Sequence, residues 1–196
     1  MFAHLIARAP AGDDATSAAR AREHAGRILA SVEQANRVID ELRRFSEDRA
    51  LNCYGHGLAE LIAECCDDSR PRADAARVAL AVAVPADILL SVDKHKLKQA
   101  LGNLLDNAID ASAAGGRVEV VASVDGPAVV VEVRDWGTGV ATAIQSRLFT
   151  PFCTTKPEGI GLGLVLAREI VEAHGGTLGW RPAEPGTVFS VRLPGG

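Results

Sequence analysis

The chain has 196 residues, and 47% of them are hydrophobic, enough for one or two domains with a proper core. A formal net charge of −4 leaves no basic footprint for nucleic acid. No apolar run approaches the ~18 residues of a membrane span and no leader pattern stands at Met1, so the expectation is a soluble, cytoplasmic protein with no membrane segment in this chain.

In chain order, Phe2 to Ala9 reads as a short helical stub and Pro10 to Asp14 as a loop. Ala18, Ala21, Ala25, Ile28, Val32, Ala35, Ile39, Leu42 and Ser46 then recur at alternating spacings of 3 and 4, the seam of a helix that packs in a bundle. Such a seam buries little against its own chain. A second copy is the economical partner, because a symmetric dimer repeats one patch, so a homodimer through the N-terminal helices is expected. Leu58 to Cys66 reads as a helix, Asp67 to Ala75 as a polar loop, and Arg77 to Val84 with Ile88 to Val92 as a strand pair around Pro85; His56 falls in a Gly-flanked linker.

Asp93 to Ser112 is an amphipathic helix: Leu97, Leu101, Leu104, Ala108 and Ala111 form one apolar stripe. Asn103 and Asn107 lie four apart, so both amides project from one other face, one turn apart, mid-helix where capping cannot account for them. Two amide oxygens in line suit a hard cation and phosphate, since magnesium prefers oxygen ligands and commonly shares them with nucleotide phosphate.

Arg117 to Val124 and Ala128 to Arg134 form a second strand pair, and the latter runs into Asp135-Trp-Gly-Thr-Gly139. Gly137 and Gly139 let the backbone turn sharply, leaving Asp135 as a carboxylate able to accept from an exocyclic amine. Leu148-Phe-Thr-Pro-Phe-Cys-Thr-Thr-Lys156 follows, and then Gly159-Ile-Gly-Leu-Gly-Leu164, a glycine-rich loop opening the helix Leu164 to His174. Unpaired N–H groups and the positive end of the dipole make such a loop suited to phosphate. Thr177 to Arg181 and Thr187 to Leu193 form a third strand pair. Alone each segment admits a plain turn or solvated surface; together, in this order, they specify a nucleotide pocket.

These four segments resemble the N, G1, F and G2 boxes of the sensor histidine kinases, within the class that includes type II topoisomerases, the Hsp90 chaperones and the MutL mismatch-repair proteins. The likeness runs from about Asp93 to Leu193, most specifically in Asn-Leu-Leu-Asp-Asn-Ala, Pro-Phe-Cys-Thr-Thr-Lys-Pro and Gly-Ile-Gly-Leu-Gly-Leu. It implies an α+β fold: an N-terminal helical hairpin over 1–50, forming a dimeric four-helix bundle, then a two-layer α/β sandwich over 51–196 binding ATP and Mg²⁺. It implies Asn107 as the metal ligand, Asn103 near the phosphates, Asp135 on the adenine amino group, and Gly137 and Gly139 shaping the base pocket. Thr154, Thr155 and Lys156 would open a lid, with only Pro157 and Glu158 before Gly159; Gly159, Gly161, Gly163 and Leu164 would close over the triphosphate. Many relatives carry a basic residue facing phosphate where this chain has Asp110.

Topoisomerase and mismatch-repair members resemble one another in a glutamate general base one turn before the metal-binding asparagine. Here that place is Asn103, whose amide cannot accept a proton at neutral pH. Phosphoryl transfer to a histidine, and thence to an aspartate of a response regulator receiver domain, is therefore expected over hydrolysis; alternatives are a non-catalytic dimeric adaptor or phosphotransfer protein, or an ATP-driven clamp of the same fold. The chain departs from the family in its phosphoacceptor, normally a histidine followed by an acidic residue with a proline five positions after the histidine. No such box occurs: His4 precedes Leu5, with Pro10 six positions on, and His24 precedes Ala25. His4 stands only as a weak candidate acceptor; otherwise the first helix is truncated or the acceptor lies on another molecule. Cys53, Cys65, Cys66 and Cys153 lack CxxC spacing and are expected as reduced thiols.

Overall fold

A computed structural model of the chain describes residues 20, 22–29, 31, 32, 35, 39, 50–156 and 159–195. The chain divides into two compact units, residues 1–46 and 47–196. In the first, the described residues are helical, and Ser31 Oγ donates to the Arg27 carbonyl one turn back at 2.9 Å. Of the seam, Ala25, Ile28, Val32, Ala35 and Ile39 are described; Val32 is 51% and Ile39 60% exposed. The expected stub at 2–9, its loop, His4, Leu42 and Ser46 lie outside the described residues, as do Pro157 and Glu158.

The second unit begins with β1 (Tyr54–Gly57) and α1 (Leu58–Ala76), then β2 (Ala79–Ala83), β3 (Leu89–Val92) and α2 (Lys94–Ala111). β4 (Arg117–Asp125), β5 (Ala128–Asp135), the one-turn α3 (Thr142–Gln145), α4 (Gly163–Ala173), β6 (Thr177–Pro182) and β7 (Thr187–Pro194) complete it. The five-stranded sheet has the order β2-β4-β5-β7-β6, and the expected pairs β4–β5 and β6–β7 form as antiparallel ladders. Alternate residues of its central strands, among them Val118 and Val120, Val131 and Val133, and Val191 and Leu193, are buried. That period-2 burial marks a sheet covered on one face. Helices α1, α2 and α4 form the covering layer, with α2 between the other two, giving the α/β sandwich.

Three expectations are corrected. The polar stretch 67–75 is helix: α1 continues through Pro71, and its buried residues Leu58, Leu61, Ile62, Cys65, Cys66, Ser69 and Ala73 keep helical spacing to the end. Pro71 removes one donor, but α1 is held to α2 by charge on either side of Cys65 and Cys66. Glu64 pairs with Lys94 at 2.6 Å and Lys98 at 3.1 Å, and Asp68 pairs with Lys98 at 2.9 Å. Second, the segments around Pro85 do not pair with each other. β2 runs parallel to β4, with α2 in the crossover that parallel pairing requires, and β3 pairs antiparallel with β1. Third, His56 lies within β1, opposite Leu90, and not in a linker.

α2 is wrapped more widely than its expected stripe, burying Ala100, Leu105 and Ile109 as well, because helices flank it on both sides. Its start is a junction. Asp93 caps it, Oδ1 accepting from the Lys96 N–H at 3.1 Å and Oδ2 from Asn52 N–H at 3.0 Å, while the Asp93 N–H donates to His174 Nε2 at 3.0 Å. His174 Nδ1 lies 2.7 Å from the Ile170 carbonyl, so Nδ1 carries the proton and Nε2 is free to accept. Burial pushes the Asp93 carboxyl up, but the Asn52 and Lys96 N–H groups outweigh it and hold it below 3.8. A carboxyl held low contributes stability above its unfolded range, lost as pH falls through the folded one. Asp93→Ala is therefore expected to cost ~1 kcal/mol in urea denaturation at pH 7, a typical value for a lost cap. The difference from wild type should shrink as pH falls below 3.8, and a gap that persists undiminished in acid refutes the assignment.

Candidate nucleotide site

Three successive turns of α2 meet three different loops, through the Asn103 and Asn107 side chains and the Ala111 backbone. Asn103 Nδ2 donates to the Gly163 carbonyl at 2.9 Å, which ties the glycine loop to the helix. One turn on, Asn107 Oδ1 accepts from Lys156 Nζ at 2.7 Å. A further turn on, the Ala111 carbonyl accepts from the Thr138 N–H at 3.3 Å, and a Cβ on Gly137 would lie 2.0 Å from that carbonyl. Only glycine fits such an approach. The four segments thus converge around one helix.

Asp135 ends β5 with its side chain inward and 2% exposed, while Trp136 lies under the guanidinium groups of Arg117 at 3.8 Å and Arg134 at 4.4 Å. Asp135 Oδ1 accepts from the Gly137 N–H at 2.8 Å, and the backbone N–H and hydroxyl of Thr187 lie near enough to favour its charged form. Burial raises the Asp135 carboxyl above 3.8 despite those donors and the Arg134 charge. A carboxylate that is buried yet keeps unused lone pairs is suited to one further donor, such as an exocyclic amine. Gly139, at φ 71, carries the chain away from it.

Gly161 has φ 78, and a Cβ there would lie 2.7 Å from the Cys153 nitrogen, so the glycine loop folds directly onto the 148–156 segment. Phe152 N–H donates to the Gly161 carbonyl at 3.2 Å, and Thr154 Oγ1 accepts from the Lys156 N–H at 3.0 Å. Gly159 lies against that Thr154 hydroxyl, and Thr155 is exposed beside it. Helix α4 starts at Gly163 without a side-chain cap, its first turn continuing through the half-buried Leu164. Sequence reasoning missed Thr187, 2% exposed beneath Asp135, and Gly186, whose missing Cβ makes room for the Asp135 carbonyl. The dipeptide Gly186-Thr187 reads as an ordinary turn and strand start, so only the β5–β7 pairing reveals its place. It also missed Arg72, which α1 delivers to Asp110 at 2.6 Å.

A metal would fit here. Asn107 Oδ1 already carries a cation, the Lys156 ammonium, with the Asp110 carboxylate beside it. Among the described residues no three His, Cys, Asp or Glu side chains cluster as a metal cage, so a divalent ion at Asn107 would draw most of its ligands from phosphate and water, as magnesium commonly does. Cys65 and Cys66 are buried and Cys53 exposed; all four thiols are free, and burial pushes Cys65 up to about 12.

Fold and site together define an ATP-handling domain, and residues 92–196 match the pattern of histidine kinase-, DNA gyrase B-, and HSP90-like ATPases. The chain belongs to that family. It is similar to the C4-dicarboxylate transport sensor protein DctS of Rhodobacter capsulatus, 37% identical over 171 residues that make up 84% of this chain and 26% of that protein. The sensor histidine kinase ZraS of Escherichia coli (strain K12) is 34% identical over 196 residues, 97% of this chain and 40% of that protein. The chain therefore spans between about a quarter and two-fifths of the length of these relatives. Among solved structures, the nucleotide-free catalytic domain of histidine kinase ThkA superposes with a TM-score of 0.68 at 29% identity, covering 74% of this chain and 96% of that one. Among the described residues no helix is long and apolar enough to cross a membrane.

A buried carboxyl held above 3.8 costs stability while charged, and the cost fades as pH falls through the raised range. Asp135→Asn keeps the acceptor for Gly137 but turns an N–H₂ group toward an incoming amine. The variant should melt no lower than wild type at pH 8 and lose adenine-nucleotide affinity by about tenfold or more, the scale of an unpaired buried polar group. Unchanged affinity by calorimetry contradicts the assignment of Asp135.

Proposed function

We propose that this chain is the ATP-binding catalytic part of a two-component sensor histidine kinase, which passes the ATP γ-phosphoryl to a histidine and then to a response regulator aspartate. The observation that carries the reading is the meeting of all three loop segments with successive turns of α2, at Asn103, Asn107 and Ala111. Asp135 accepts from the adenine amino group, and Gly137 and Gly139 leave the base room. Asn107 would hold Mg²⁺, which would supply positive charge against the phosphates. Asn103 keeps the Gly159–Gly163 loop on the phosphate side of α2, where the α4 N-terminus faces the triphosphate. Lys156, with Thr154 and Thr155, lines the lid.

No carboxylate stands at Asn103 to take a proton from water, so the pocket positions and stabilises a phosphoryl group in preference to hydrolysing it. In the transfer, the bond from the γ-phosphorus to the ADP oxygen breaks as one to an imidazole nitrogen forms, and ADP leaves. The exposed Val32 and Ile39 of the N-terminal helix support a homodimer through that seam. Complexes are on record for a relative: ThkA has been solved with the response regulator protein TrrA. At 24% identity that structure shares the fold with this chain, and a receiver domain as partner is part of the proposal.

Calorimetric titration with ATP and Mg²⁺, then incubation with γ-labelled ATP, tests the reading. Binding is expected, with Asn107→Ala abolishing its metal dependence and Asp135→Ala its preference for adenine. Label on this chain is expected to be absent, and acid-labile label would move the acceptor to His4 or His24. Failure of both variants to change affinity rejects the pocket.

A further inference from the structure

Asp110, on the last turn of α2, is met by two cations from elsewhere in the fold. Its Oδ2 accepts from Lys156 Nζ at 2.6 Å, and its Oδ1 accepts from Arg72 Nη2 at 2.6 Å and Arg72 Nε at 3.2 Å. Arg72 also lies 3.7 Å from Asp106 on the same helix. Both guanidinium nitrogens donate to the one oxygen, Oδ1, which leaves Oδ2 to the lysine. That oxygen holds the ammonium on Asn107 Oδ1, 2.7 Å away. Burial pushes the Asp110 carboxyl up, but the Lys156 and Arg72 hydrogen bonds outweigh it and keep it below 3.8, so the charge that holds the lysine is present at neutral pH.

Resting on the reading of Asn107 as the metal ligand, we propose that Lys156 is a resident cation of the nucleotide site. Asp110 parks it on the Asn107 amide oxygen, and lysine and metal exchange at that one atom when the metal–nucleotide complex binds. A magnesium ion bonds oxygen at ~2.0–2.1 Å, and an ammonium hydrogen-bonded to the same oxygen would place three positive charges within a few ångströms of one another. One of the two must leave. The lysine can, because it sits on a loop segment and retains Asp110 as an anchor. Arg72 stays, being fixed on α1, and keeps Asp110 charged and oriented whichever cation occupies Asn107. Asp110 and Arg72 are on this account positioning residues.

The arrangement makes the metal-free and the metal-bound affinity respond differently to loss of the lysine. Without metal, Lys156 remains on Asn107 and supplies the positive charge that phosphate meets. With metal, binding loses the lysine–asparagine bond and gains the metal–asparagine one. Lys156→Met therefore weakens metal-free binding in full, whereas in the presence of metal it also removes a competitor.

The test is calorimetric titration of the whole chain with ATP in EDTA and in Mg²⁺, and the readout is the ratio of the two dissociation constants. That ratio is expected to rise by about tenfold or more in Lys156→Met, the scale of a lost charge-assisted hydrogen bond. Asp110→Asn should move it the same way by less, and Lys156→Arg should restore it toward wild type. Equal losses in both media for Lys156→Met, leaving the ratio unmoved, overturn the exchange while leaving the pocket intact. A ratio moved by Lys156→Met and not by Asp110→Asn overturns the role of Asp110. Wild-type protein that binds no ATP in Mg²⁺ brings down the pocket itself.

Discussion

Everything in the nucleotide domain depends on the burial of α2. The helix lies between α1 and α4 over the sheet, and Leu97, Leu104, Leu105 and Ala108 are at most 1% exposed. A helix gripped on three sides cannot rotate without exposing that surface, at ~25 cal/mol per Å². Its remaining face is therefore fixed, and the Asn103 and Asn107 side chains and, one turn on, the Ala111 backbone carbonyl are delivered to three loops that have little regular structure of their own. The apolar stripe and the polar line are two consequences of one helical period.

Two carboxylates near α2 illustrate how environment decides chemistry. Asp135 is enclosed at a strand end, where desolvation outweighs its N–H donors and raises its proton affinity. Asp110 is also partly desolvated, but Lys156 and Arg72 reverse the sign. The first suits the recognition of a neutral donor group, the second the holding of mobile charge. The residue type is the same, and only the neighbours differ.

Much of the site was legible because its constraints are local. Asn103 and Asn107 fall on one face by spacing alone, and Gly137 and Gly161 mark close approaches that any side chain would block. The pairs β4–β5 and β6–β7 could be read from alternation across short turns. What escaped reading was held by distant partners. The stretch 67–75 looked like a loop because its acidic residues and Pro71 disfavour helix locally, yet Lys98 on α2 pairs with Asp68, and Ser69 and Ala73 stay in register with the buried face. Thr187 reaches Asp135, and Arg72 reaches Asp110, only because strands and helices far apart in the chain lie side by side.

Three local features and the chemistry they carry follow from residue order alone: a helix with an apolar stripe and a line of amides, a carboxylate before two glycines, and a glycine loop before a helix. Periodicity and backbone sterics act over a few residues, so they can be read without the fold. The pairing of β2 with β4 and of β1 with β3 was decided only by tertiary structure, as was the grip of Arg72 and Lys156 on Asp110. Pairing partners and ion pairs are chosen by competition among many compatible segments, and burial around α2 settles that competition only when the whole domain has closed.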